Sequence, residues 1–396
     1  MQDNEKKPAL RFKGFTDPWE QRKLGELSCS FEYGLNAAAK EYDGQNKYLR
    51  ITDIDDTSRQ FVTTDITSPD INLTDADSYK LSDGDVLFAR TGASVGKTYL
   101  YKKFDGLVYF AGFLIRAKIK ESVNAGFIFQ NTLTRGYERY IAITSQRSGQ
   151  PGVNAQEYAE YQLMLPELFE QEKIAKLLEA LDTLITLHQR KYEKLVNIKK
   201  SMLDKMFPPN GASVPEIRFK GFTDPWEQRK VREVTDRYDN LRIPVAASLR
   251  VAGTTPYYGA NGIQDYVEGY THDGEFILVA EDGANDLKNY PVKCVKGRIW
   301  VNNHAHVLQG KCACADNQFL AYAISQADIE SLLVGGGRAK LNAETLMDIE
   351  LLLPSKNEQI QIGHYLARLD HLITLHQRKL EKLQNIKKSC LEKMFA

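Results

Sequence analysis

A short glycine-rich segment is the first place where this chain could hold a phosphate. Gly92, Gly96 and Lys97 belong to the run Gly-Ala-Ser-Val-Gly-Lys-Thr, and Thr91 precedes it. A phosphate-binding P-loop needs four residues between its glycines, so that backbone N–H groups and the lysine surround the phosphates. This run has three, and Thr91 stands where the first glycine should be. We therefore predict a strand over 86–88 and then a glycine turn. The turn would present three side chains to a phosphodiester backbone: Arg90, Ser94 and Lys97.

Two histidines and two cysteines lie close together in the second half of the chain. His304 and His306 precede Cys312 and Cys314. Zinc sites usually use Cys-x2-Cys pairs, whereas these pairs are His-x-His and Cys-x-Cys. Alternation over 300–307 instead favours a strand whose successive side chains point to opposite faces. We therefore expect no metal site here.

The motifs of two chemistries that act on DNA are not found in the sequence. An adenine methyltransferase needs Asp/Asn-Pro-Pro-aromatic to hold a flipped base. Residues 207–210 carry these letters in reverse order, and 17–19 lack one proline. Pro69-Asp70 is not followed by the spaced Asp/Glu-x-Lys triplet of a Mg²⁺-dependent nuclease. We therefore predict a chain without catalysis of its own.

Composition indicates an ordinary globular protein. The 396 residues are 42% apolar and 26% charged. They include 52 basic and 52 acidic side chains, so tight unaided binding to nucleic acid is not expected. Neither a membrane span nor a signal peptide is apparent, and five cysteines favour reduced thiols. These features predict a cytoplasmic protein.

Two segments of the chain occur twice. RFKGFTDPWEQRK at 11–23 recurs unchanged at 218–230, and residues 181–207 recur at 369–395 with five substitutions. The offsets are 207 and 188 positions, so the first insert is 19 residues longer than the second. A repeat of this size is a domain duplication rather than a solenoid. We therefore predict two similar frames that carry unlike inserts.

Residues 167–207 are predicted to form one long helix, with a copy from about 357 to 395. Apolar residues recur three or four positions apart, and Pro208-Pro209 would end the first helix. Because the two apolar stripes match, we expect the helices to pack antiparallel. His188 and His376 are interpreted as partly buried positions that fix the helix register. The expected packing positions are Leu181, Leu184, Ile185, His188, Leu195, Ile198, Leu369, Leu372, Ile373, His376, Leu383 and Ile386.

The predicted fold class is α+β, with two globular mixed α/β domains separated by two long antiparallel helices and an internal pseudo-two-fold duplication. The expected bounds are 1–166 and 210–354 for the domains, and 167–209 and 355–396 for the helices. The 27 repeated helical residues would span ~40 Å at ~1.5 Å per residue. One turn of B-DNA is about 34–36 Å, so each domain could face a groove on one side of a duplex. A coiled-coil spacer that meets no DNA could have the same length.

The duplicated frame and five ordered segments resemble the specificity subunit of type I restriction-modification enzymes. The segments are 78–97 and 146–174 in the first half, and 273–284, 297–308 and 335–362 in the second. The resemblance covers essentially the whole chain and depends on the ordered set rather than on any one segment.

This resemblance implies a DNA-binding protein that is not itself an enzyme. Two target-recognition domains would each read one half of a split, asymmetric DNA sequence, while the helices set the spacing and dock other subunits. The partners implied are double-stranded DNA, two copies of a modification methyltransferase subunit, and restriction/translocase subunits, with no membrane. S-adenosylmethionine, ATP and Mg²⁺ would be bound by the partner subunits, so no cofactor is expected on this chain.

Candidate DNA contacts are chosen by residue type and position. Arg and Lys suit guanine, Asn and Gln suit adenine, and apolar groups suit the thymine methyl. In the first half the candidates are Lys47, Tyr48, Arg50, Arg90, Thr91, Ser94, Lys97, Arg147 and Gln150. In the second half they are Tyr257, Tyr258, Asn261, Asn302, Asn303, Arg338 and Lys340. The alternative function is a non-enzymatic scaffold, in which the two-helix spacer is the functional element and the domains bind proteins.

Overall fold

The computed structural model describes residues 7–209, 211–335 and 339–395. The chain divides into two compact units. Unit 1 is Met1–Arg190 together with Gln377–Ala396, and unit 2 is Lys191–His376. Unit 1 is therefore built from two stretches that are far apart in the sequence.

The elements of the first half run in chain order from a short strand to a long helix. They are β1 (Glu20–Lys23), α1 (Leu24–Leu27), β2 (Ser28–Tyr33), β3 (Ala38–Glu41), β4 (Lys47–Leu49), β5 (Thr67–Asp70), β6 (Asp85–Ala89), β7 (Thr98–Leu100), β8 (Val108–Phe110), β9 (Leu114–Ile119), α2 (Ala125–Asn131), α3 (Arg135–Thr144), α4 (Ala155–Ala159), β10 (Gln162–Leu165) and α5 (Leu168–Met206). Strand β6 confirms the strand predicted over 86–88, and α5 confirms the first long helix.

The second half begins and ends with elements of the same kinds. They are β11 (Glu227–Lys230), α6 (Val231–Val234), β12 (Thr235–Arg237), β13 (Ala252–Gly259), β14 (Gly262–Val267), β15 (His272–Ala280), β16 (Val292–Val301), β17 (Ala305–Gly310), α7 (Asn317–Ser325), α8 (Ala343–Asp348), β18 (Glu350–Leu353) and α9 (Lys356–Lys393). Helix α9 confirms the predicted copy of the long helix.

The sheets of the two units share a common part. Unit 1 contains the order β2-β9-β6-β7, and unit 2 contains β12-β17-β15-β16-β13-β14. The first four strands of each sheet pair antiparallel in the same sequence order. Unit 2 then adds β13, which runs parallel to β16, and β14. Unit 1 instead carries the separate pairs β3–β5 and β4–β8. The inserts therefore differ around a shared four-stranded sheet.

The repeated segments build the same local structure in both units. Strand β1 pairs antiparallel with β10, and β11 pairs antiparallel with β18. The Arg11 guanidinium donates two hydrogen bonds to the fully buried Glu170 carboxylate, at 2.7 and 2.8 Å. Arg218 makes the same two bonds to Glu358, at 2.7 and 2.8 Å. These paired contacts confirm the internal duplication.

The long helices pack antiparallel within each unit. In unit 1, Lys387 Nζ lies 2.5 Å from Asp182 Oδ1. In unit 2, Lys199 Nζ lies 2.6 Å from Asp370 Oδ1. Each unit thus contains an ion pair between α5 and α9.

An aromatic group closes the core of each unit. Trp19 lies edge-on to Phe127 at 5.8 Å and to Phe395 at 6.5 Å between ring centroids. The corresponding triplet of unit 2 is Trp226, Phe319 and Phe207, with centroid distances from the tryptophan of 5.7 and 5.8 Å. Phe395 follows α9 and Phe207 follows α5, so the end of a long helix completes each core.

Among the described residues, no helix is both long enough and apolar enough to cross a membrane.

Candidate nucleic-acid interface

The C-terminal end of β6 is the point in unit 1 where three segments meet. The Arg90 backbone N–H donates to the Phe113 carbonyl at 3.0 Å, and the Arg90 carbonyl accepts from the Val153 N–H at 2.9 Å. Thr91 forms an antiparallel bridge with Gly152. The loop that carries the candidate Gln150 is therefore held beside the candidates Arg90 and Thr91.

One aromatic ring packs against the Arg90 side chain, and a second aromatic residue, Phe113, is bonded to its backbone. The Arg90 guanidinium carbon lies 4.9 Å from the centroid of the Tyr33 ring. Tyr33 is 44% exposed and Phe113 is 60% exposed. The Tyr33 hydroxyl accepts a hydrogen bond from the Ala155 N–H at 3.2 Å, which fixes the ring. Tyr33, Arg90 and Phe113 thus form an exposed cationic and aromatic cluster, which we call the Arg90 cluster.

The glycine-rich segment is a turn whose glycines are required by its geometry. Gly96 has φ of +81°, and an added Cβ would lie 2.6 Å from Ile141 Cγ2. The Lys97 ammonium donates to the Ile54 carbonyl at 3.1 Å and pairs with the Asp56 carboxylate, and Lys97 is buried. The expectation that Lys97 faces a phosphodiester backbone is therefore corrected, because intradomain acceptors hold its charge in the interior. Ser94 is half-buried at the end of the turn.

The other candidates of unit 1 are held by contacts within the unit. Lys47 Nζ donates to the Asp105 carbonyl at 2.6 Å. Tyr48 is buried, with its hydroxyl donating to the Leu35 carbonyl at 2.7 Å. Tyr48 therefore packs the core rather than facing solvent, contrary to expectation. Two candidate arginines are ion-paired: Arg50 with Asp53 through Nε and Nη2, and Arg147 with Glu157 through Nη2 alone.

The end of β15 is the corresponding point in unit 2. The Glu281 N–H donates to the His304 carbonyl at 2.9 Å, and the Glu281 carbonyl accepts from the Leu341 N–H at 2.8 Å. Asp282 forms an antiparallel bridge with Lys340. These are the same backbone bonds that Arg90 and Thr91 make in unit 1.

The side chains at this point of unit 2 form an ionic network. Glu281 Oε2 lies 2.6 Å from Arg242 Nη1, and Glu281 Oε1 lies 2.9 Å from Lys340 Nζ. Burial alone would raise the pKa of Glu281, but hydrogen bonds from Arg242 and Lys340 lower it below its ordinary value. The buried His306 ring bonds the Asp239 carboxylate through Nδ1 at 2.7 Å and the Leu341 carbonyl through Nε2 at 2.9 Å. The network therefore fastens the segment at 339–341 to the sheet.

Several candidates of unit 2 lie in the interior. Tyr257, Tyr258 and Asn302 are buried, contrary to the expectation that they face a ligand. Tyr257 stacks on Trp300 with centroids 6.3 Å apart. Arg250 also packs against the Tyr257 ring, with its guanidinium carbon 4.1 Å from the ring centroid. These side chains support the surface rather than form it.

The remaining candidates of unit 2 lie around the loop that follows β15. The exposed Asn261 donates from Nδ2 to the Gly283 carbonyl at 2.8 Å. Asn303 is exposed in the turn between β16 and β17. The Lys340 ammonium pairs with the Glu281 carboxylate at the start of the same loop. Arg338 lies outside the described residues.

The strand expected over 300–307 is interrupted. Strand β16 ends at Val301 and β17 begins at Ala305. The Asn302 Oδ1 accepts the His304 N–H at 2.8 Å, which makes a tight turn. His304 Nδ1 lies 2.5 Å from Asp282 Oδ1. Within the ranges that the structure describes, no group of three or more His, Cys, Asp or Glu residues could hold a metal ion.

The predicted helix-packing positions divide into buried and exposed sets. Leu181 and Leu369 are buried, and Leu195, Ile198 and Leu383 pack partly buried against the cores. Leu184 is 42% exposed and Ile386 is 40% exposed, because the apolar stripe is wider than the helix contact. Ile185, His188, Leu372, Ile373 and His376 are half-buried.

Sequence reasoning missed the aromatic members of the Arg90 cluster. Phe113 follows Ala111-Gly112 between two buried strands, so an apolar residue in a glycine turn was the available signal. The contact of Asp282 with His304 was also missed, because the two residues come together only through the pairing of β15 with β17.

The sequence matches a family model described as the type I restriction modification DNA specificity domain, over residues 16–197 and 223–385. It is 44% identical over 146 residues to a putative type I restriction enzyme specificity subunit of Haemophilus influenzae. That match spans 37% of this chain and 38% of the Haemophilus protein. It is also 21% identical over 404 residues to the MjaVIII specificity subunit of Methanocaldococcus jannaschii, covering 95% of this chain and 91% of that protein.

A solved structure shares the fold over nearly the full length. It is the type I restriction-modification S subunit of M. genitalium, with a TM-score of 0.73 and 13% identity, covering 98% of this chain and 99% of that one. The fold thus defines a duplicated two-domain protein with long helices. With the two matches to the family model, this chain belongs to the type I restriction-modification specificity subunits.

Proposed function

We propose that this chain reads a bipartite, asymmetric DNA target, one half with each recognition domain. The observation that carries the proposal is that one duplicated frame holds two unlike inserts. The Arg11–Glu170 and Arg218–Glu358 pairs are the same in both halves. The surfaces that the frames support differ, with the Arg90 cluster in unit 1 and the Glu281 network in unit 2. Unlike readers on matched frames suit two unlike half-sites.

The recognition domains are assigned to residues 1–166 and 210–354, and the spacer helices to 167–209 and 355–396. The helices offer equivalent docking positions, because Leu187 and Leu375 are 188 positions apart and both are exposed. Exposed leucines at matched positions suit two copies of one modification subunit. Restriction/translocase subunits would join the same assembly.

The chain is assigned no catalysis. Methyl transfer from S-adenosylmethionine would occur on the modification subunits, and ATP- and Mg²⁺-dependent translocation and cleavage on the restriction subunits. The chain would act in the cytoplasm, where the DNA and these partners meet.

The test is to co-express the chain with the modification subunit encoded beside its gene and to map N6-methyladenine across the genome. A split motif with two unlike halves is expected. A palindromic motif would contradict two unlike readers. A stable complex that methylates nothing would mean that the recognition domains are inactive or the partner is wrong. Absence of any complex with the modification subunit would favour the protein-binding scaffold instead.

A further inference from the structure

The candidate arginines of unit 1 differ in whether their charge is already satisfied. Arg50 donates Nε and Nη2 to Asp53 at 2.9 and 2.8 Å. Arg147 donates Nη2 to both oxygens of Glu157, at 2.5 and 2.7 Å. Among the described residues, no carboxylate lies within ion-pair distance of Arg90, whose side chain is exposed. Arg90 is therefore the candidate whose donors are available to a ligand.

Arg90 is also held in place before any ligand arrives. Its backbone is bonded on both sides, to Phe113 and Val153. Its guanidinium rests against the Tyr33 ring, and Tyr33 is anchored by the Ala155 N–H. Contact with a ring face consumes none of the five N–H donors of arginine. An ordered guanidinium loses less conformational entropy on binding than a free one.

Unit 2 places a different group on the same backbone site. Glu281 makes the two backbone bonds that Arg90 makes, to His304 and Leu341. Its carboxylate is an acceptor, and Arg242 and Lys340 already hold it. Guanine offers the acceptors O6 and N7 in the major groove, which a guanidinium matches and a carboxylate does not.

We propose that Arg90 reads a guanine in the half-site bound by unit 1, that Tyr33 positions it, and that unit 2 makes no such contact at Glu281. This inference rests on the proposed function and names one base of the DNA target. A half-site with guanine at one position, without a counterpart at the equivalent position of the other half, is expected.

The experiment uses the complex of the full chain with its modification subunit. Methylation rates are measured on duplexes that carry the mapped motif and on duplexes in which each specified base pair is replaced in turn. For the unchanged chain, replacing the guanine should slow methylation by roughly 5- to 150-fold, the equivalent of about 1–3 kcal/mol for one bidentate pair. Arg90→Ala should remove this discrimination at one position and leave the other half-site unchanged.

Three further variants separate base reading from other roles. Arg90→Lys keeps the charge but should lose most of the discrimination, since lysine lacks the bidentate fork. Tyr33→Leu should weaken discrimination, and Tyr33→Phe, which keeps the ring, should retain most of it. Arg22→Ala is the control, and its motif should be unchanged because Arg22 is not among the candidate DNA contacts and Glu26 already neutralises that surface guanidinium.

Each contrary result has a definite meaning. If Arg90→Ala slows methylation equally on all duplexes while Arg90→Lys restores the rate, Arg90 is a phosphate anchor and the proposal is overturned. If Arg90→Ala leaves every base preference intact, the proposal is also overturned while the bipartite reader stands. If the unchanged complex methylates no split motif, the proposed function itself fails, and this inference with it.

Discussion

At the scale of single residues, each unit depends on one arginine that neutralises a buried glutamate. Glu170 and Glu358 are fully buried, and Arg11 and Arg218 reach them from the repeated segments. Removing one partner of a buried pair leaves an uncompensated charge in a medium of low polarity. The two pairs are therefore matched sites for testing each unit separately.

We expect Arg11→Ala to destabilise unit 1 by about 3–5 kcal/mol, and Arg218→Ala to destabilise unit 2 by a similar amount. Hydrogen exchange resolved by mass spectrometry would locate the loss in one unit. The control is Arg22→Ala, because Arg22 pairs with Glu26 on the surface, where solvent screens an ion pair and its removal should change stability little. Equal losses in both units from Arg11→Ala would contradict the prediction.

His272 gives unit 2 a dependence on pH. Burial lowers the pKa of His272 below its ordinary value of 6.5. Its Nε2 faces the Tyr238 carbonyl and its Nδ1 faces the Thr271 hydroxyl, so the neutral ring fits the site. The unfolded chain therefore binds the proton more readily, and stability should be full above about pH 6.5 and fall as the pH drops below it.

Melting temperatures at pH 7.5 and 5.5 test this prediction. We expect the unchanged chain to lose stability in unit 2 on acidification, and His272→Asn to show a smaller loss over the same interval. An identical loss in the two proteins would assign the pH dependence to other groups.

At the scale of elements, the long helices were predictable and the short ones were not. The apolar stripe, the flanking prolines and the duplication were sufficient to give α5, α9 and their antiparallel packing. Helices α2 and α7 are equivalent in space, since the Asn124 and Asp316 N–H groups bond Gln171 and Gln359 in the same way. Their sequences share too little for the match to be seen, because a short buried helix is specified by its surroundings.

Burial of polar aromatic residues was the other limit of sequence reasoning. Tyr48 and Tyr257 occur in polar surroundings in the sequence, which favoured a surface role. In the structure, the Tyr48 hydroxyl donates to the Leu35 carbonyl and the Tyr257 hydroxyl accepts the Val245 N–H, at 2.7 and 2.9 Å. These partners lie 13 and 12 residues away in the sequence, and the contacts become visible only when the chain is folded.

The ion pairs between the long helices should differ in strength. Asp182 and Lys387 are less exposed than Asp370 and Lys199. A double-mutant cycle with alanine should give a coupling of about 1 kcal/mol for Asp182–Lys387 and a smaller one for Asp370–Lys199. Absence of coupling at both sites would be inconsistent with this helix register in solution.

If the modification subunits dock on the long helices, substitutions at the docking positions should change the number of subunits bound. Leu187→Lys or Leu375→Lys should each remove one modification subunit, because a charge replaces an exposed apolar contact. The mass of the complex, measured by light scattering, should fall by one subunit for each variant and by two for the pair. The neighbouring Lys191→Ala is the control and should leave the mass unchanged.

At the scale of the whole molecule, charge balance limits what the chain can do alone. With 52 basic and 52 acidic residues, it has no overall attraction for DNA. We expect the isolated chain to bind its DNA target weakly and to release it between roughly 50 and 200 mM salt. The complex with its partner subunits should stay bound to the DNA over the same range. Fluorescence anisotropy across a salt series would check this, and nanomolar binding by the isolated chain at physiological salt would refute it.

The aromatic residues that follow the long helices determine when, during synthesis, the core of each unit can be completed. Phe395 and Met394 belong to the core of unit 1, beside Trp19 near the other end of the chain. A ribosome that has completed the first insert has not yet synthesised the residues that seal it. The core of unit 1 therefore stays incompletely packed until the second insert and α9 have been synthesised. Unit 2 differs, because Phe207, which packs against its core, is synthesised before the second insert. A chain truncated within α9 would thus have an incompletely packed core in unit 1, most of which lies far from the truncation in the sequence. Proteases and chaperones would act on that exposed core.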